Sequence, residues 1–156
     1  MMERAGPGSG EGGDITALYT VLVDGDDMDD PIADAVRGIM DGHIVLDRRI
    51  AETGRFPAVN LLRSISRMLP DCHGPEEYAI YRAARCAMAR YADMEELIRI
   101  GAYRPGSDAE VDAAIKLFQP LEDLLRQSKR DAMEPNETFA RIHACLTEAG
   151  ISVPTE

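Results

Sequence analysis

A phenylalanine beside a proline, with an arginine eleven residues further on, is where this sequence could do chemistry: Phe56-Pro57-Ala58-Val59-Asn60-Leu61-Leu62-Arg63-Ser64-Ile65-Ser66-Arg67. Pro57 restricts the backbone of Phe56 to extended conformations, so the ring can be held at a fixed angle. Ser64 and Ser66 are small and let the backbone before Arg67 approach a neighbour closely. Arg67 carries a permanent charge and five donors in a planar fork suited to phosphate oxygens. The plain alternative stands beside this one: a ring packed in a core and an arginine in solvent.

Other chemistry-bearing residues argue mostly by what they fail to form. Asp24-Gly25-Asp26-Asp27-Met28-Asp29-Asp30 holds five aspartates in seven positions, but the later bidentate glutamate of a calcium-binding loop is missing. A solvated acidic loop feeding a helix is the competing reading. Cys72, Cys86 and Cys145 and the scattered His43, His73 and His143 show no metal-ligand spacing. Free thiols follow, as in reducing compartments. Nucleotide hydrolysis needs a phosphate-cradling Gly-x-x-x-x-Gly-Lys-Ser/Thr loop and a carboxylate for magnesium. The two lysines, Lys116 and Lys129, lie far from any such glycines, and the glycine-rich segment 6–13 contains none.

Elements to position these residues can be read from patterning. Residues Ile15 to Val23 are apolar on both faces, as a buried strand of a parallel sheet would be. Asp30 then reads as an N-cap, Pro31 as a first helical residue, and Ile32 to Met40 as a helix closed by Gly42. His43 to Leu46 is a short strand, and Asp47 caps a helix through Glu52 that stops at Gly54. From Gly74 the pattern turns helical. Pro75-Glu76-Glu77 starts a long helix whose Tyr78, Tyr81, Ala84, Met88, Tyr91 and Met94 make a packing stripe down to Gly101. Ser107 and Glu110 form a capping box for a helix through Phe118. Pro120 breaks or restarts it, with Leu121 to Arg130 continuing, and Pro135 opens a last helix that turns Phe139, Ile142, Cys145 and Leu146 inward and ends at Gly150.

The formal charge of −11 over 156 residues argues against a general electrostatic footprint on nucleic acid. It leaves a local nucleotide pocket open. No run approaches the roughly 18 apolar residues of a membrane span, and the N-terminus lacks the apolar stretch of a signal peptide.

The runs Asp41-Gly42-His43-Ile44-Val45-Leu46-Asp47-Arg48-Arg49 and Gly54-Arg55-Phe56-Pro57-Ala58, with the stretch to Arg67, strongly resemble the catalytic domain of the type III secretion and flagellar export ATPases. These are relatives of the rotary ATP synthase catalytic and regulatory subunits. In that family Glu-Arg-Ala-Gly follows the phosphate-binding and magnesium-binding motifs, and here Glu3-Arg4-Ala5-Gly6 stands at the start. The resemblance, which runs from Glu3 to the last helix, therefore implies the C-terminal part of a longer ATPase. The implied fold is an α/β fragment, the end of a RecA-like P-loop ATPase parallel sheet over residues 1–73, followed by an α-helical C-terminal bundle over 74–156.

By the same resemblance Arg67 is the arginine finger, reaching into a neighbouring subunit's site. Phe56 stacks on adenine within its own subunit, and Gln127 lines the adenine pocket. Asp26, Asp27 and Asp29 face a ring channel and touch a central stalk protein. The implied cofactor is ATP with Mg²⁺, whose phosphate and metal ligands are not in this chain, so the chain alone is expected to be inactive. The implied setting is a homohexamer at the cytoplasmic face of the inner membrane, with secretion chaperones and substrates as partners. The Leu124-Leu125-Arg126-Gln127-Ser128-Lys129 run leans toward virulence or symbiosis secretion over flagellar export. A non-catalytic module docking stalk or chaperone, or a truncated remnant, is the competing reading.

Overall fold

The computed structural model describes residues 5–8, 12–26 and 30–153, in two units, Met1–His43 and Ile44–Glu156. In the first unit Gly6 and Ile15 exchange both backbone hydrogen bonds, at 2.9 and 3.0 Å, as an isolated antiparallel bridge. The Asp14 carboxylate accepts the Gly8 amide at 2.9 Å. Residues 16–23 form no strand, contrary to the expectation from their apolar pattern, and Leu18 and Leu22 are 94% and 91% exposed. A segment apolar on both faces becomes a strand only between paired neighbours and covering layers, and among the described residues no strand pairs with it. A single 3-10 turn covers Asp24–Asp26. Helix α1 (Pro31–Ile39) starts as expected: Asp30 Oδ1 accepts the amides of Ile32 and Ala33 at 2.9 and 3.0 Å, and Pro31 is the first helical residue. Its end lies earlier than expected. Met40 already turns extended, and Gly42 opens the next strand.

Strand β1 (Gly42–Leu46), helix α2 (Arg48–Glu52) and strand β2 (Val59–Ser66) follow. Asp47 caps α2 by accepting the Arg49 amide at 3.0 Å, and Gly54 ends it with a φ of +80° that a side chain would resist. The Asp47 amide donates to Ala58 O, and Val45 N donates to Ser64 Oγ, so the two strands run antiparallel. The Ser64 hydroxyl in turn donates to Asn60 O at 2.6 Å. A side chain thus takes a place in the strand pairing that a backbone group would otherwise hold.

The helical part comprises α3 (Pro75–Arg99), α4 (Ala109–Leu125) and α5 (Pro135–Glu148). Their shared core is Ala84, Leu117, Leu121, Leu146 and Ala149, with Ile80, Met88, Leu124, Ile142 and Cys145 packed around it. Tyr91 of the expected α3 stripe stacks on Phe118 of α4, centroids 3.8 Å apart. An α/β segment followed by a helical bundle is therefore the observed order.

Three local expectations change. The N-cap of α4 is Asp108, whose carboxylate accepts the amides of Glu110 and Val111 at 2.9 and 3.2 Å. Ser107 instead donates to Arg104 O; a carboxylate is the stronger acceptor for amides at a positive helix end. Pro120 lies inside α4 without ending it, because buried Leu117 and Leu121 hold both sides of the proline in the core. The helix stops at Leu125 rather than Arg130, since the Gln127 amide is drawn away to a partner outside the helix.

Candidate functional site

The residues expected to meet a nucleotide base meet each other. The backbone amide of Gln127 donates to the carbonyl oxygen of Phe56 at 2.8 Å, which joins the end of α4 to the loop between α2 and β2. The Phe56 ring is 56% exposed beside this junction, and the Phe56–Pro57 peptide bond is cis. The Gln127 side chain is exposed too. An open aromatic face is what stacking on a flat heterocycle requires.

Next to Phe56 in the chain stands Arg55, the buried charged residue among those described, 3% exposed. Its Nη1 donates to Pro57 O at 3.2 Å and its Nη2 to Val59 O at 2.9 Å. Its Nε forms an ion pair with Glu122 Oε2 of α4 at 2.7 Å. A second guanidinium, Arg85 of α3, holds the following strand: Nη1 donates to Leu61 O at 2.7 Å and Ser64 O at 3.3 Å, and Nη2 donates to Leu62 O at 2.7 Å. Arg67 is the first residue beyond β2, exposed, in the turn leading to α3.

In the sequence Arg55 stands only within a run, and no local signal marks Glu122 or Arg85. No local pattern could have paired residues so far apart along the chain. Asp47, the N-cap of α2, accepts the Asn60 side chain at 3.1 Å. Partial burial opposes its ionisation, but the Asn60 and Arg49 hydrogen bonds and the charges of Arg49 and Arg63 outweigh it, so its carboxyl is held below the usual carboxylate range. Of the acidic residues expected at a stalk, Asp26 lies in the 3-10 turn, while Asp27 and Asp29 lie outside the described residues.

Known proteins share both halves of this arrangement. The family model for the ATP synthase alpha/beta family, nucleotide-binding domain, matches residues 1–66, and that for the type III secretion EscN ATPase C-terminal domain matches residues 74–144. The assembled ATPase EscN from the enteropathogenic E. coli type III secretion system superposes with a TM-score of 0.87 at 39% identity, over 93% of this chain and 35% of that one. The chain belongs to the type III secretion and flagellar export ATPase family.

Relatives of both kinds match this export ATPase segment. The flagellum-specific ATP synthase of Caulobacter vibrioides is 54% identical over 94% of this chain and 34% of its own length. The SPI-2 type 3 secretion system ATPase of Salmonella typhimurium is 45% identical over 95% and 34%. The chain therefore spans about a third of the length of the relatives it matches. EscN has also been solved in complex with its central stalk EscO, and that structure superposes with a TM-score of 0.80 at 38% identity, over 93% of this chain and 34% of that one.

The family implies a nucleotide, and the residues present fit one end of it. The exposed Phe56 ring beside Gln127 suits a base. For the triphosphate the sequence holds no Gly-Lys-Ser/Thr loop, and among the described residues no cluster of acidic, histidine or cysteine side chains could hold a divalent ion. Among the described residues no helix is long and apolar enough to cross a membrane.

Proposed function

We propose that this chain is the C-terminal part of an ATPase that energises type III protein export, supplying the base-stacking and arginine-finger side of the nucleotide site. Residues 1–73 belong to the ATPase core and residues 74–156 form the helical C-terminal domain. The observation that supports this most is the hydrogen bond from Gln127 N to Phe56 O. It unites two residues that the family's chemistry places around one adenine. When bound, ATP with Mg²⁺ supplies the phosphoryl group and its charge neutralisation. Phe56, exposed, offers its face to the base, Gln127 closes the side, and Arg67, exposed just beyond the braced strand β2, acts on a neighbouring subunit's triphosphate. A positioned arginine of this kind is worth about 10³–10⁵ in rate.

The complete protein works as a homohexamer at the cytoplasmic face of the inner membrane, with a central stalk contacted through Asp26, Asp27 and Asp29, and with chaperone-bound substrates as cargo. Chaperone release and unfolding draw on the same turnover. The stalk complex of EscN supports the stalk partner.

The test is subunit complementation in the complete ATPase. Arg67→Ala subunits and subunits defective in the phosphate loop are each inactive alone, and mixed rings regain turnover because the arginine acts across the boundary. Mixed rings that stay inactive would refute the role in trans. The chain alone shows no ATP turnover; magnesium-dependent hydrolysis by the purified chain would refute the division of labour.

A further inference from the structure

Beside Phe56 the chain buries a charged side chain, Arg55, 3% exposed. We propose that Arg55 and Glu122 are positioning residues for base recognition: their ion pair sets Phe56 against Gln127, so that the helical domain fixes how tightly the nucleotide base is held. This rests on the reading of Phe56 as the base-stacking residue.

Two independent bonds tie the same two segments together. One is the Arg55–Glu122 ion pair at 2.7 Å, and the other is the hydrogen bond from Gln127 N to Phe56 O at 2.8 Å. Arg55 precedes Phe56, and Glu122 lies one helical turn or so before Gln127. The connections therefore form a closed circuit through loop, ion pair, helix end and backbone bond. Nη1 and Nη2 of the same guanidinium donate to Pro57 O and Val59 O, which follow Phe56 in the chain. Phe56 is thus bracketed by a buried cation whose counter-ion sits on α4. The α4 helix is in turn fixed by the buried Leu117 and Leu121 of the bundle core.

A buried guanidinium keeps one geometry only while its counter-ion stays in place. Take away Glu122, and Arg55 turns toward water or another acceptor, releasing Pro57 O and Val59 O. The Phe56 ring then loses its fixed angle, and a stacking contact depends on that angle.

The experiment uses the complete ATPase for kinetics and this full chain for amide exchange. In the kinetics, Glu122→Ala raises KM for ATP about tenfold, a typical worth of one base-stacking contact, while kcat changes by less than about twofold. Glu122→Gln keeps an acceptor at the same place and shows a smaller rise, and Arg55→Lys, which cannot fork to both carbonyls, resembles Glu122→Ala. In this chain, Glu122→Ala speeds exchange of the Gln127 amide while amides of the α3–α5 core keep their protection, which separates a local release from unfolding.

Phe56→Ala is the arm that tests the underlying reading. If it leaves KM unchanged, the adenine role of Phe56 falls, and this proposal with it. If Phe56→Ala raises KM while Glu122→Ala moves neither KM nor the Gln127 amide, the proposal alone is overturned. A loss of core protection in both Glu122 variants with KM unchanged would likewise overturn it, leaving the pair a structural brace only.

Discussion

Replacing Arg85 by methionine removes the brace between α3 and β2 while leaving most of the aliphatic stem in place. Three carbonyls lose a charged donor: Leu61 O and Leu62 O at 2.7 Å and Ser64 O at 3.3 Å. A hydrogen bond to a charged group contributes about 1.5–3 kcal/mol net. The site is half buried, so the freed carbonyls regain some water and the long third bond adds little. Taking the lower end for each short bond gives a loss of about 3 kcal/mol. In urea, with a slope of about 2 kcal/mol per molar, the midpoint falls by about 1.5 M at unchanged slope. Arg85→Lys recovers roughly half of that, because a point charge cannot serve two successive carbonyls as a planar fork does. The strand so braced runs directly into Arg67, so in the complete ATPase the same substitution lowers kcat more than it raises KM. A stability loss under about 1 kcal/mol for Arg85→Met, or a lysine variant equal to the parent, would refute the view that the guanidinium geometry holds β2.

Further expectations concern the bundle and the loop. Leu146, fully buried between α3 and α4, costs about 2–5 kcal/mol when cut to alanine, read as a fall in the urea midpoint. Asp108→Ala removes the acceptor for two amides at the start of α4 and costs about 1 kcal/mol, measurable as a lower thermal midpoint. Because the Asp47 carboxyl is held below its ordinary range, its ionisation stabilises the fold fully above the unfolded carboxylate value of about 3.9. That contribution is lost as pH falls through the lower folded value. Asp47→Asn therefore flattens the acid limb of the stability profile and leaves its neutral limb parallel to the parent's.

Much of the secondary structure was legible because local chemistry dictates it. Asp30-Pro31 and Asp47 cap helices wherever those residues precede a helical pattern, and Gly54, Gly101 and Gly150 end helices with positive φ that other residues resist. The misread places share one cause. Residues 16–23 have strand composition, but among the described residues no strand pairs with them, and pairing is not a local property. Pro120 reads as a breaker until leucines on either side are pulled into a core. The end of α4 moved because a loop far back in the chain competes for the Gln127 amide.

For the site, the residue types alone determined that a proline-held aromatic and a terminal arginine lie on one short stretch, and the runs around them determined the family. Which groups stand beneath that stretch was decided only on folding. Arg55 found a counter-ion in Glu122, and Arg85 found three carbonyls of β2, because a guanidinium taken out of water needs opposite charge or acceptors wherever the packed helices offer them. Such partnerships depend on distance in space, and a sequence records only distance along the chain.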